Sequence, residues 1–142
     1  MEKALILETT FLIDFERERQ RGLGGPVADL LRSYANHRLF ITPTIAGELA
    51  AGTSLADRSR WQEFIAPFRI LATTPDVAWE YGKAFRHLQR NGALIGANDL
   101  WIAATGLAYG VPVVTRNAEH YRRVPGLDVI GYSRDVHGSA VN

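Results

Sequence analysis

Apolar residues fall along this chain in two alternating rhythms. Short, nearly continuous apolar runs at residues 3–7, 39–41, 69–72, 111–114 and 129–130 predict strands, each too short for a helix. Between them, apolar positions recur at three- and four-residue spacing. Val27, Leu30, Leu31 and Tyr34 share one stripe after Pro26, and Val77, Tyr81, Phe85 and Leu88 share another over 76–90. Phe11, Leu12 and Phe15 mark the inner side of a helix that Thr9 or Thr10 caps, after which ERERQRGLGG turns the chain. Thr42-Pro43 is a helix start, a capping hydroxyl followed by proline at the first helical position. That helix carries Ile45, Glu48 and Leu49 and stops near Gly52. Further helices are predicted over 55–66 and from Asn98 to Tyr109, the second dense in alanine, and TRNAEHY reads as a loop with one helical turn.

Strands alternating with helices imply an α/β domain built on a mostly parallel sheet. In such sheets ligands collect outside the carboxyl ends of the strands, and Glu8 stands at that end of the first one. No repeat, linker or low-complexity tract divides the 142 residues, so the pattern reads as one domain over 1–135 with a short tail at 136–142.

Composition narrows the chemistry. The absence of cysteine removes disulfides, thiolate metal sites and thiol nucleophiles. No apolar run approaches ~18 residues, so no membrane span is expected. MEKALILE lacks the features of a signal peptide, and a cytoplasmic setting is the expectation. The net charge of +1 is bland, but of 16 basic residues only Lys3 and Lys83 are lysine. Arginine forks onto phosphates better than lysine does, although a compositional bias of the source gives the same count. GLGG at 22–25 follows a charged, non-strand segment and is a turn rather than a dinucleotide loop. A phosphorylated receiver domain needs a lysine near the end of a late strand, and neither lysine is there.

Most of the 15 acidic residues, including Glu16, Glu18, Asp57 and Glu63, lie in polar stretches and are expected in solvent. Three do not: Glu8 follows four apolar residues, Glu48 lies in TPTIAGELAAG, and Asp99 lies in LIGANDLWIAA. An unpartnered carboxylate is expensive to bury, so each needs a cation or strong donors. A shared divalent ion satisfies all three at once, and oxygen ligands suit Mg²⁺ or Mn²⁺. Taken singly, Asp99 is equally a helix cap, Glu8 an exposed strand end and Glu48 a half-buried surface residue.

In their order and spacing LILETTFLID, ITPTIAGELAAG, IGANDLWIAATGLAYG and VPVVTRNAEHYRRVPGL resemble the PIN domain, specifically the VapC-like toxins of bacterial toxin–antitoxin pairs. The resemblance spans Leu5 to Ile130. It implies a twisted parallel sheet wrapped by helices, a metal-dependent endoribonuclease using Mg²⁺ or Mn²⁺, an RNA substrate, a homodimer and a cognate antitoxin. By position, Glu48 and Asp99 match the second and third acidic ligands, and Glu8 stands where the family ordinarily has aspartate. Thr9 and Thr10 match small hydroxyl residues that orient a ligand or water. The fourth motif has Asn117 and His120 where the family places a further acid, with Glu119 close by. Asn117 is carried over as a carbonyl donor or holder of metal-bound water, and Arg116 either faces substrate phosphate or forms a structural salt bridge. Glu8 and the non-acidic fourth motif also admit a catalytically attenuated protein that acts by binding antitoxin or RNA.

Overall fold

The computed structural model describes residues 3–22 and 24–133. The predicted tail at 136–142 lies outside the described residues.

Five parallel strands form one sheet. β1 (Ala4–Leu7) is central; β2 (Arg38–Ile41) and then β3 (Arg69–Ile70) lie on one side, and β4 (Val113–Thr115) and then β5 (Val129–Gly131) on the other. Leu5, Ile6 and Leu7 of β1 and Val113 and Val114 of β4 are all buried, as strands covered on both faces must be. The strand order reverses direction between β1 and β4, and in open parallel sheets such a switch point is where ligands bind, outside the carboxyl ends of the strands.

Among the described residues, seven helices join these strands: α1 (Thr9–Arg21), α2 (Pro26–Ser33), α3 (Pro43–Ala51), α4 (Arg58–Ile65), α5 (Pro75–Arg90), α6 (Ala97–Tyr109) and α7 (Ala118–Tyr121). Thr42 caps α3 as its sequence predicts, its hydroxyl accepting from the Ile45 N–H at 3.2 Å. The alanines of α6 let it pack closely, with Ile102, Ala103 and Ala104 fully buried. Tyr81 of α5 stacks on Trp101 of α6 at 4.0 Å, so this tryptophan seals a helix pair. The Trp61 indole N–H donates to the Ala46 carbonyl at 2.9 Å and pins α4 to α3.

Several boundaries differ from the pattern-based expectation. The charged run after Phe15 stays helical to Arg21 and ends at Gly22, whose φ of 69° is the left-handed cap that glycine favours. Glu8, rather than Thr9 or Thr10, caps α1, and α6 starts one residue early, after Gly96, so Asp99 is a first-turn residue and not the cap. A 3-10 turn at Thr53–Leu55 replaces the first part of the helix expected over 55–66.

Glu18 is the clearest correction. It is buried, not solvated, and its two carboxylate oxygens accept from the Val27 N–H at 2.9 Å and the Ala28 N–H at 3.1 Å. Residue 25, the N-cap position of α2, is a glycine with no side chain to do this, so Glu18 caps α2 from α1. A Cβ at Gly25 would stand 2.7 Å from the Glu18 carboxyl carbon, which explains the glycine. Glu18→Ala is expected to lower stability by about 1–2 kcal/mol, the usual cost of losing a helix cap. Urea unfolding checks this, and a midpoint equal to wild type would show that water replaces the carboxylate.

Candidate functional site

The chain passes from β1 to α1 through the single residue Glu8. Its N–H still bonds to the Val114 carbonyl of β4 at 3.0 Å, while its C=O already accepts the first helical hydrogen bond, from Leu12 at 3.2 Å. With no loop at the junction, the side chain is fixed at the carboxyl end of the central strand. Glu8 Oε1 accepts three hydrogen bonds, from the Thr10 N–H (3.2 Å), the Thr10 hydroxyl (2.6 Å) and the Thr115 hydroxyl (2.6 Å). The Arg116 N–H donates to the Thr10 hydroxyl at 3.0 Å and the Asn117 N–H to the Thr115 hydroxyl at 2.9 Å. Two backbone N–H groups after β4 are thus relayed through two hydroxyls onto one carboxylate oxygen.

Glu8 is only 2% exposed. Burial pushes its carboxyl above the ordinary value; the Thr10 and Thr115 hydrogen bonds oppose this, and the charge of Asp99 adds to it.

Glu48 of α3 and Asp99 of α6 complete an acidic group. The Thr9 hydroxyl donates to Glu48 Oε1 at 2.5 Å, and the Asn98 amide donates to Glu48 Oε2 at 3.3 Å. The Tyr121 hydroxyl donates to Asp99 Oδ1 at 3.1 Å, and His120 Nδ1 lies 3.9 Å from Asp99 Oδ2. Burial drives the Tyr121 phenol far above the ordinary tyrosine value, and the charges of Glu8, Asp99 and Glu48 all push the same way. Each of the three carboxylates thus has an oxygen held by a hydroxyl, Glu8 by Thr10 and Thr115, Glu48 by Thr9 and Asp99 by Tyr121.

The other sequence-predicted residues fall around this group. Arg116 turns its side chain to α1, where Nε lies 3.0 Å from Asp14 Oδ2. Tyr132 donates to the same oxygen at 2.7 Å, so a buried Asp14 ties α1 to the segment after β5. Thr9 is buried, with its hydroxyl on Glu48. Asn117 and Glu119 are exposed, and Asn117 is tied to the site through its backbone N–H. Sequence reasoning missed Thr115, Tyr121 and the roles of Asp14 and Tyr132. Thr115 carried a faint signal, a hydroxyl closing the buried run Val113–Val114.

By donor chemistry, three carboxylates suit a hard divalent cation, and Glu8 Oε2 receives no hydrogen bond from the described residues. By position the group is looser, for no three Asp, Glu or His side chains among the described residues are placed to share one ion. The fit is one of ligand type and neighbourhood rather than a closed cage.

A five-stranded parallel sheet with Glu8 at the point where its strand order reverses, and Glu48 linked by hydrogen bonds to Thr9 and Asn98, the neighbours of Glu8 and Asp99, defines an α/β domain with an acidic switch-point site. The chain belongs to the PIN domain family, whose model matches residues 5–127. Among curated proteins it is similar to Ribonuclease VapC of Rickettsia bellii, 28% identical over 135 residues that cover 89% of this chain and 94% of the relative. Ribonuclease VapC1 of Rickettsia felis is 27% identical over 137 residues, 91% and 96% of the two chains. Among solved structures, VapBC2 from Rickettsia felis bound to a DNA fragment from its promoter superposes with a TM-score of 0.78. That match covers 92% of this chain and 99% of the other at 23% identity, and bears on the fold alone. Among the described residues, no helix is long and apolar enough to cross a membrane.

Proposed function

We propose that this chain is a metal-dependent endoribonuclease, the toxin of a toxin–antitoxin pair. The observation that carries the reading is the network at the carboxyl end of β1, in which Glu48 accepts from Thr9, the neighbour of Glu8, and from Asn98, the neighbour of Asp99, while Tyr121 donates to Asp99. The ribonuclease names of the Rickettsia relatives support RNA as the substrate class, and the VapBC assembly among the fold neighbours supports an antitoxin as partner. A homodimer belongs to the same reading.

Glu8, Glu48 and Asp99 would hold Mg²⁺ or Mn²⁺. Such an ion supplies an acidified water and offsets charge that builds on a phosphorus under attack. The chain's own contribution is orientation. Thr10 and Thr115 hold Glu8, Thr9 holds Glu48 and Tyr121 holds Asp99, all with neutral hydroxyls that add no charge to the site. The Arg116 Nε contact with Asp14 ties this side chain to the frame. Asn117 and the half-exposed His120 stand at the rim, open to substrate. Single-stranded or looped RNA suits the site, because its backbone is accessible and its bases are free to splay onto the protein.

The test is cleavage of a pool of structured RNAs with Mg²⁺ or Mn²⁺. Specific fragments that vanish on adding chelator are expected. One observation favours a second reading, an attenuated protein that acts by binding: the three carboxylates do not close around a point. An intact RNA pool together with no carboxylate-dependent Mn²⁺ uptake would establish that second reading in place of the first.

A further inference from the structure

Tyr121 is wholly buried and ranks among the largest side chains of the core. A phenylalanine ring fills the same space, so packing explains the ring and not the hydroxyl. A buried tyrosine O–H usually finds a partner, and here the partner is Asp99 Oδ1 at 3.1 Å. Asp99 belongs to the first turn of α6 and keeps 25% of its side chain exposed, so water is available to solvate it without the phenol. The hydrogen bond therefore does little for the fold that solvent does not do. What water does not supply is a fixed direction.

The placement is specific. Tyr121 is the last residue of α7, the turn of helix that follows the Thr115–Asn117 segment already relayed onto Glu8. Asp99 Oδ1 is turned to the phenol, while Oδ2 lies on the side of the half-exposed His120.

We propose that Tyr121 is a positioning residue of the site, its hydroxyl holding one oxygen of Asp99 to the protein so that the other is presented to a divalent cation. This rests on the carboxylate-site reading above. Groups that orient a metal ligand from behind commonly change metal affinity by about 10–100-fold when removed.

The experiment is a Mn²⁺ titration by calorimetry on the full chain, comparing wild type, Tyr121→Phe, Asp99→Asn and the double variant. Tyr121→Phe is expected to weaken Mn²⁺ about tenfold, to keep a nearly unchanged unfolding midpoint in chelator, and to regain cleavage at excess Mn²⁺. In the Asp99→Asn background the same change should cost nothing further, because the hydroxyl acts through Asp99. Wild-type affinity in Tyr121→Phe overturns the proposal, as does an equal loss in both backgrounds. The carboxylate reading fails separately: if wild type takes up no Mn²⁺, or Asp99→Asn binds it as wild type does, the site assignment falls and takes this inference with it.

Discussion

Glu8→Gln is expected to abolish RNA cleavage and, in metal-free protein, to raise the unfolding midpoint at neutral pH. The amide keeps an oxygen for the Thr10 and Thr115 donors and keeps the cap on α1, so the local frame survives. It removes a charge that is almost wholly withdrawn from water and lies near Asp99. Because burial raises this carboxyl above its ordinary 4.5, the folded chain binds the proton more tightly than the unfolded chain does. The contribution to stability is then full below the unfolded value and is lost as pH rises through the folded value. Wild-type protein in chelator should therefore lose stability as pH climbs above 4.5, and the glutamine variant should lack that part of the decline. Cleavage moves the other way. A neutral amide is a poor partner for a divalent cation, and losing one preorganised electrostatic group at a reacting phosphate costs on the order of 100-fold or more. Thermal unfolding from pH 4.5 to 8, paired with an RNA cleavage assay, checks both halves. Equal midpoints at neutral pH would show that the buried charge is not a burden, and retained cleavage would remove Glu8 from the site.

That opposition explains which parts of the molecule the sequence discloses. Local chemistry is legible. The run Ala4–Leu7 is a strand because nothing polar interrupts it, and Thr42-Pro43 starts a helix because both residues suit one short stretch of backbone. The stripe through α5 has the helical period along its length. Glu48 and Asp99 stand out because their neighbours are apolar. Long-range partnerships are not legible. The hydroxyl on Glu48 comes from 39 residues away, that on Asp99 from 22, and the Thr115 hydroxyl on Glu8 from 107. Glu18 sits in the most charged stretch of the chain, so its neighbours predict solvent. Its partners are N–H groups nine and ten residues on, which only the packing of α1 against α2 brings to it. The capping role of Glu8 was hidden for a related reason, since a strand that enters a helix through one residue leaves no loop signature to read.

The other large effect concerns the one methylene that separates Glu8 from the aspartate usual at this position in the resemblance. Glu8→Asp is expected to lower cleavage by about 10–100-fold, because it draws the carboxylate back by on the order of 1 Å and catalytic sites tolerate that badly. The surroundings are built for the longer side chain. Aspartate is a good N-cap, so the contact with the Thr10 N–H survives the change and α1 should not fray. The Thr115 hydroxyl belongs to β4 and does not follow the retreating carboxylate. Its 2.6 Å hydrogen bond, and with it the relay from Asn117, is what the shorter residue gives up. Stability should thus change little while the rate falls, a split that side-by-side unfolding and single-turnover cleavage would expose. The reverse result, faster cleavage by the aspartate variant, is equally informative. It would mean that the added methylene holds the wild-type site away from its best geometry, as carboxylates that do not close around one point would suggest. The chain would then be a nuclease fold with its chemistry turned down, and recognition of its protein partner or RNA would carry more of its role.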